Sequence, residues 1–229
     1  CRVAYAPHHD EYDHFEKFES STLNLPDFLI CCEKRLNMTF IKRQLSNELK
    51  EMAKAYPVVT LLGPRQSGKT TLVRHLFPQT AYYSLENPDS YDFASKDPRA
   101  FLEPHLAKGM IIDEVQRFPK LLSYIQGYVD ESNKKGQFIL TGSHQLELHA
   151  SIAQSLAGRT AMLRLLPLSI DELSKASFKS DDYLFRGFYP RLYEGKIRPA
   201  AFYRDYVQTY LEKDVRSLIN VKDLTLFQK

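Results

Sequence analysis

The chain has 229 residues, room for one full domain and part of a second. Hydrophobic residues make up 43% of it, enough for a substantial core, while a net charge of +3 is too small to argue for nucleic acid or a membrane surface. Three cysteines, two of them adjacent at Cys31 and Cys32, exclude a disulfide framework and a zinc spacing and point to free thiols in a reducing cytoplasm.

Residues 1–37 show no periodicity. We expect Met38 to be the true start and the preceding stretch to be an upstream extension. His8, His9, Asp10, Glu11, Asp13 and His14 have the composition of a metal cluster but no scaffold to fix it, so a polar segment without metal is the reading. From Ile41 the pattern changes. Ile41, Leu45, Leu49, Met52 and Tyr56 recur at spacings of three and four, which predicts an amphipathic helix ended by Pro57. Val58 to Leu62 is a wholly apolar, β-branched run, as in a buried parallel strand. A loop from Gly63 to Gly68 leads into a helix over Lys69 to Phe77. Ala81 to Leu85 is the second strand. Asp97 followed by Pro98 is a helix-start signal, a side-chain cap before a proline at the first helical position. Gly109 stops that helix, and Met110 to Ile112 is a third strand running into Asp113. Leu121 to Val129 is helical, Phe138 to Leu140 a fourth strand, Gln145 to Ala157 a helix and Ala161 to Leu166 a fifth strand. No apolar run approaches the roughly 20 residues of a membrane helix, and the start lacks the build of a signal peptide.

Strands alternating with helices predict an α/β fold. The expected form is a three-layer sandwich with a central parallel sheet and right-handed crossovers. Beyond Pro167 a helix over Ser169 to Ala176, a connection punctuated by Gly187 and Pro190, and a long helix from Ala200 to about Ile219 predict a mostly helical second unit. The expected boundaries are an extension 1–37, a phosphate-loop domain 38–167 and a helical region 168–229, the last one incomplete at Lys229.

Gly63-Pro64-Arg65-Gln66-Ser67-Gly68-Lys69-Thr70 fits G-x-x-x-x-G-K-[ST] at every specified position, after a strand and before a helix. Gly63 and Gly68 permit backbone angles that let successive amides turn toward phosphates. The positive end of the following helix faces the same anion. Lys69 reaches the β- and γ-phosphates of a nucleoside triphosphate, and the Thr70 hydroxyl ligates magnesium. Forty-four positions after Lys69, the third strand ends in Asp113-Glu114. Adjacent in the parallel sheet, Asp113 would hold the magnesium shell and Glu114 would orient and polarise the attacking water. A solvated acidic turn is the bland alternative. Ser143, at the tip of Phe138-Ile139-Leu140-Thr141-Gly142-Ser143, is a sensor of the γ-phosphate or the attacking water, or a helix cap. Arg159 is either a charge donor to a neighbouring subunit's γ-phosphate or a helix-terminal cation. Arg117 either steers Glu114 or lies on the surface. Phe202, Tyr203, Tyr206 and Tyr210, interleaved with Arg198, Arg204, Lys213 and Arg216, read as core packing at helical spacing, with base stacking the alternative.

Together these segments resemble the prokaryotic AAA-like ATPases that pair a phosphate-loop domain with a C-terminal domain of unknown function. The resemblance rests on Gly63 to Leu72, Ile112-Asp113-Glu114-Val115-Gln116-Arg117, Leu140 to Ser143, Leu156-Ala157-Gly158-Arg159, and Tyr206 to Val215. It implies ATP as ligand, contacted along Gly63, Pro64, Arg65, Gln66, Ser67, Gly68, Lys69, Thr70 and Thr71, and a nucleotide-driven rearrangement of the appended domain. His144 stands where a second small hydroxyl residue belongs in the family. GTP is disfavoured because Asn133-Lys134-Lys135 runs into Gly136 instead of completing a guanine-reading motif. Three functions compete: magnesium-dependent ATP hydrolysis, an ATP-ordered regulatory module without turnover, and a small-molecule kinase. The adjacent acids favour water as acceptor. A homo-oligomer, a protein client and DNA are the partner classes left open.

Overall fold

Five short apolar runs become strands. They are β1 (Val58–Gly63), β2 (Ala81–Ser84), β3 (Met110–Asp113), β4 (Phe138–Ser143) and β5 (Thr160–Arg164). The computed structural model describes residues 40–132, 134–143, 146–173, 180–194 and 197–211. The histidine-rich stretch 8–14, His144 and residues 212–229 lie outside them. All strand pairs are parallel, in the order β2-β3-β4-β1-β5. This order corrects one expectation. The strand carrying Asp113 is not the neighbour of the phosphate-loop strand, because β4 lies between them. Parallel pairing joins runs far apart in sequence, and local periodicity carries no information on which runs meet.

Side chains alternate across the sheet, and each set has its own cover. Val58, Leu62, Met110, Ile112, Phe138 and Leu140 face α4 (Pro98–Leu102), α5 (Leu121–Ser132) and α6 (Leu146–Leu156) through Phe101, Leu121, Ile125 and Ile152. Val59, Leu61, Ile111 and Ile139 face α1 (Ser46–Ala55) and α2 (Lys69–Leu76) through Leu49, Leu72 and Val73. Each such buried side chain stabilises the fold by about 1.5–3 kcal/mol. The outcome is the expected three-layer sandwich.

Before β3, three elements differ from the sequence reading by more than an end residue. α1 begins at Ser46 and not at Ile41, because Arg43 is tied by its side chain to residues far along the chain. α3 (Pro88–Lys96) was not expected, although Asn87 caps it by accepting from the Asp89 amide at 2.8 Å before a proline. The same signal at Asp97-Pro98 opens only five helical residues, where Asp97 accepts from the Ala100 amide at 3.0 Å. Gly109 ends this segment in the left-handed region, at φ +82°.

After β5 the described elements are helical: a 3₁₀ turn Asp171–Leu173, α7 (Ser180–Arg186), α8 (Arg191–Glu194) and α9 (Pro199–Tyr206), which runs into a π-helical turn Val207–Leu211. Phe202 and Tyr206 are buried with Leu192 against Tyr189 and Tyr203, and the Tyr189 hydroxyl donates to that of Tyr206 at 3.0 Å. Helical spacing here serves packing, and these ring faces are taken up by one another.

Candidate functional site

The site is assembled at the C-terminal rim of the sheet, where β1, β3 and β4 end side by side. In the register of β1 and β4, Gly63 lies opposite Ser143. A Cβ at Gly63 would overlap the Leu165 carbonyl, and Gly68 sits at φ +93°, a conformation open to glycine at no steric cost. Between them Gln66 also takes a positive φ of 58°, so the loop bends tightly. Lys69, first residue of α2, is 4% exposed. Its ammonium donates to the carbonyls of Gly63 and Pro64, 3.0 Å each. Burial pulls its pKa below the usual lysine value, and the carboxylates of Glu114 and Asp113 pull it partly back. The Ser67 hydroxyl is buried with no hydrogen-bond partner among the described residues.

Asp113 collects three hydroxyls. Thr70 Oγ1 and the Tyr82 hydroxyl each donate to Oδ2 at 2.7 Å, and Thr141 donates to Oδ1. Tyr82 is tied further by the Arg74 guanidinium, 4.9 Å from its ring centroid. Burial and the bond to Asp113 push the Tyr82 phenol well above the ordinary tyrosine range, so it remains a donor. Glu114 is held at φ 57°, ψ 47°, a left-handed conformation that costs a non-glycine residue about 1–2 kcal/mol. In a continued strand, neighbouring side chains would point to opposite faces. The left-handed turn ends β3 so that both carboxylates stay at the rim. Glu114 Oε2 accepts from Ser143 Oγ at 3.1 Å and from Gln116 Nε2, which also reaches Ser143 Oγ at 3.2 Å. Thr141 and Ser143, two apart on one face of β4, thus touch Asp113 and Glu114 respectively.

The structure brings Gly63, Lys69, Thr70, Asp113, Glu114 and Ser143 together. Arg65 faces Glu86 across 3.8 Å, and Thr71 is exposed on α2. Arg159 stands at the opposite rim, where its carbonyl accepts from the Val58 amide. Its guanidinium grips Asp130 with Nε at 2.5 Å and NH2 at 2.9 Å. Arg117 is exposed, the surface alternative of its two readings, and its neighbour Gln116 makes the contact with Glu114. Sequence reasoning gave no individual role to Gln116, Tyr82, Thr141 or Arg43. Thr141 and Ser143 carry a usable signal, two hydroxyls at strand spacing. Tyr82 lies in a strand whose residues read only as filling.

The arrangement suits a magnesium triphosphate. Thr70 Oγ1 and Asp113 Oδ2, 2.7 Å apart, are hard oxygens, and magnesium is held by one or two carboxylates together with substrate phosphates. Among the described residues no three His, Cys, Asp or Glu side chains gather as a metal cage. The tight loop, the buried ammonium and the orphaned Ser67 hydroxyl are the surroundings an anion needs. No helix among the described residues is long and apolar enough to cross a membrane.

The family model of an AAA domain matches residues 55–174. That of a domain of unknown function (DUF8612) matches residues 177–229. "Uncharacterized protein Mb2031c" of Mycobacterium bovis and "Uncharacterized protein Rv2008c" of Mycobacterium tuberculosis are each 32% identical over 191 residues, covering 79% of this chain and 41% of their own length. This chain therefore spans well under half of those curated relatives. Among solved structures, a Walker-type ATPase of Pyrococcus abyssi, PABY2304, shares the fold with a TM-score of 0.53 and 19% identity over 78% of this chain and 76% of its own. With its AAA model covering more than half of the residues and a DUF8612 region behind it, the chain belongs to the AAA-domain family of P-loop ATPases.

Proposed function

We propose that the protein binds ATP with magnesium at this rim and hydrolyses it, with water as the phosphate acceptor. The meeting of Lys69, Asp113 and Glu114 beside one glycine-bounded loop carries the reading. In it, the loop amides and the Lys69 ammonium hold the β- and γ-phosphates, after Lys69 leaves the Gly63 and Pro64 carbonyls. Thr70 and Asp113 hold the metal and its water shell. Magnesium, when bound, neutralises the charge that develops on the phosphate oxygens. Glu114 accepts the proton of the attacking water while the bond from the γ-phosphorus to its bridging oxygen breaks, which yields ADP and phosphate. Ser143 and Gln116 fix the rotamer of Glu114. A magnesium-dependent phosphate-release assay on the full chain tests the reading, and a tight ATP complex without turnover would favour a purely regulatory module.

Gln116 supplies a narrower check. Gln116→Leu removes the amide that donates to both Glu114 and Ser143 and leaves the phosphate loop untouched. We expect kcat to fall about tenfold, ~1.4 kcal/mol of barrier, with KM unchanged. Steady-state kinetics that show a changed KM and an unchanged kcat would contradict the positioning role.

The lowered pKa of Lys69 sets a pH dependence. Its folded-state pKa lies below the ordinary lysine value of 10.5, so the ammonium loses its proton earlier on the alkaline side than a free lysine does. ATP affinity should decline at a pH below that value. Because the Glu114 carboxylate raises the Lys69 pKa, the decline should begin at still lower pH in Glu114→Gln. Titrations with a fluorescent ATP analogue across this range read both effects.

The same reading places the domain boundary near residue 167, where strands give way to helices, and has the nucleotide rearrange the region 168–229. The closeness of Pro190, 3.7 Å from where a Cβ on Gly68 would lie, supports that coupling. Arg159 acts only on a neighbouring copy in this reading, and only after releasing Asp130.

A further inference from the structure

Arg43 precedes the first helix and lies outside every motif described above, yet it is one of the most heavily engaged side chains among the described residues. It is 5% exposed. Its Nε donates to Glu172 Oε2 at 3.0 Å, NH1 to the Ser67 carbonyl at 2.7 Å, and NH2 to the carbonyls of Leu166 and Pro167 at 2.6 and 3.3 Å. Glu172 is equally saturated. Oε1 accepts from the Gln44 amide at 2.7 Å, and Oε2 accepts also from the Ser169 amide at 3.0 Å. A buried ion pair stabilises a fold only when its remaining donors and acceptors are satisfied, and here every guanidinium nitrogen and both carboxylate oxygens are engaged, across three chain segments.

The bond to Ser67 has a stereochemical consequence. No cis peptide occurs among the described residues, so in the planar trans unit joining Ser67 to Gly68 the carbonyl and the amide point in opposite directions. Arg43 grips the carbonyl, and the Gly68 N–H is thereby aimed away from Arg43, in a glycine that sits at φ +93° and has no side chain to steer by. A cation on the carbonyl also polarises the peptide and strengthens its N–H as a donor. Lysine cannot substitute: one nitrogen on a flexible stem does not span a carboxylate and two carbonyls in a fixed fork.

We propose that Arg43, locked by Glu172, is a positioning residue for the phosphate loop: it presents the Gly68 amide to the triphosphate from behind the loop. The proposal rests on the ATP reading above. Because Glu172 belongs to the segment that leads from β5 into the helical region, the clamp also makes the aim of this amide depend on where that segment sits.

The experiment uses the full chain. ATP with magnesium and inorganic tripolyphosphate are titrated into wild type, Arg43→Lys and Glu172→Gln by calorimetry, with near-ultraviolet circular dichroism as the folding check. Amide exchange of the loop peptide is followed without nucleotide. In folded Arg43→Lys, affinity for both ligands should fall at least tenfold by the same factor, and loop amides should exchange faster. Glu172→Gln should show the same pattern to a smaller degree, and it keeps the question answerable should the lysine variant not fold. Equal loss for the two ligands separates presentation of an amide to phosphate from a general loosening of the nucleotide pocket. Unchanged affinity in a folded variant overturns the clamp and leaves the ATP reading standing. Absence of ATP binding in the folded wild type overturns the ATP reading itself and the clamp with it.

Discussion

Lys69→Ala should lower kcat/KM for ATP about a thousandfold, ~4 kcal/mol, the combined worth of two charge-assisted hydrogen bonds to phosphate. The loss should appear mainly as weaker binding, because the ammonium meets the phosphates before the reaction as well as during it. Stability should hardly change. Burial disfavours the charged form of Lys69, and among the described residues the ammonium donates to the Gly63 and Pro64 carbonyls of its own loop. An undiminished ATP affinity in a folded Lys69→Ala variant would remove the phosphate role from this loop.

Glu114→Gln should behave in the opposite way. The amide is nearly isosteric, and its carbonyl oxygen still accepts from Ser143 and Gln116, so the left-handed turn at residue 114 has the same supports. What disappears is the ability to take a proton from water. General-base assistance is worth about 10²–10⁴-fold, so kcat should fall by that factor with ATP affinity retained within about threefold. Nucleotide binding and single-turnover phosphate release, measured on the same preparation, separate the two quantities. Turnover at the wild-type rate would assign the water to some other base.

The parts of this site legible in the sequence are those written in contiguous residues. The phosphate loop declares itself because glycine, lysine and hydroxyl stand at fixed offsets between an apolar strand and a helix. Asp113 and Glu114 declare themselves because acids at the tip of Met110–Ile112 end an otherwise wholly apolar run. What stayed hidden depends on long-range pairing. That β4 inserts between β1 and β3, and so brings Thr141 to Asp113 and Ser143 to Glu114, follows from which strands meet. Arg43 contacts residues 24, 123 and 129 positions away, and a single arginine before a helix has no local signature. Gln116 lies in a 3₁₀ turn only three residues long, too short for any periodicity to mark which side chain returns to the rim. The Asn87-Pro88 start, by contrast, was fully legible and simply missed, since it carries the same cap and proline as Asp97-Pro98.

Direct titration of ATP with magnesium into the folded full chain, by calorimetry, bears on the central claim most immediately. Saturable binding at one site per chain, lost when Lys69 becomes alanine, is the result this account predicts. A well-folded protein that gives no binding heat with any adenine nucleotide, and leaves ATP intact over hours, would contradict it.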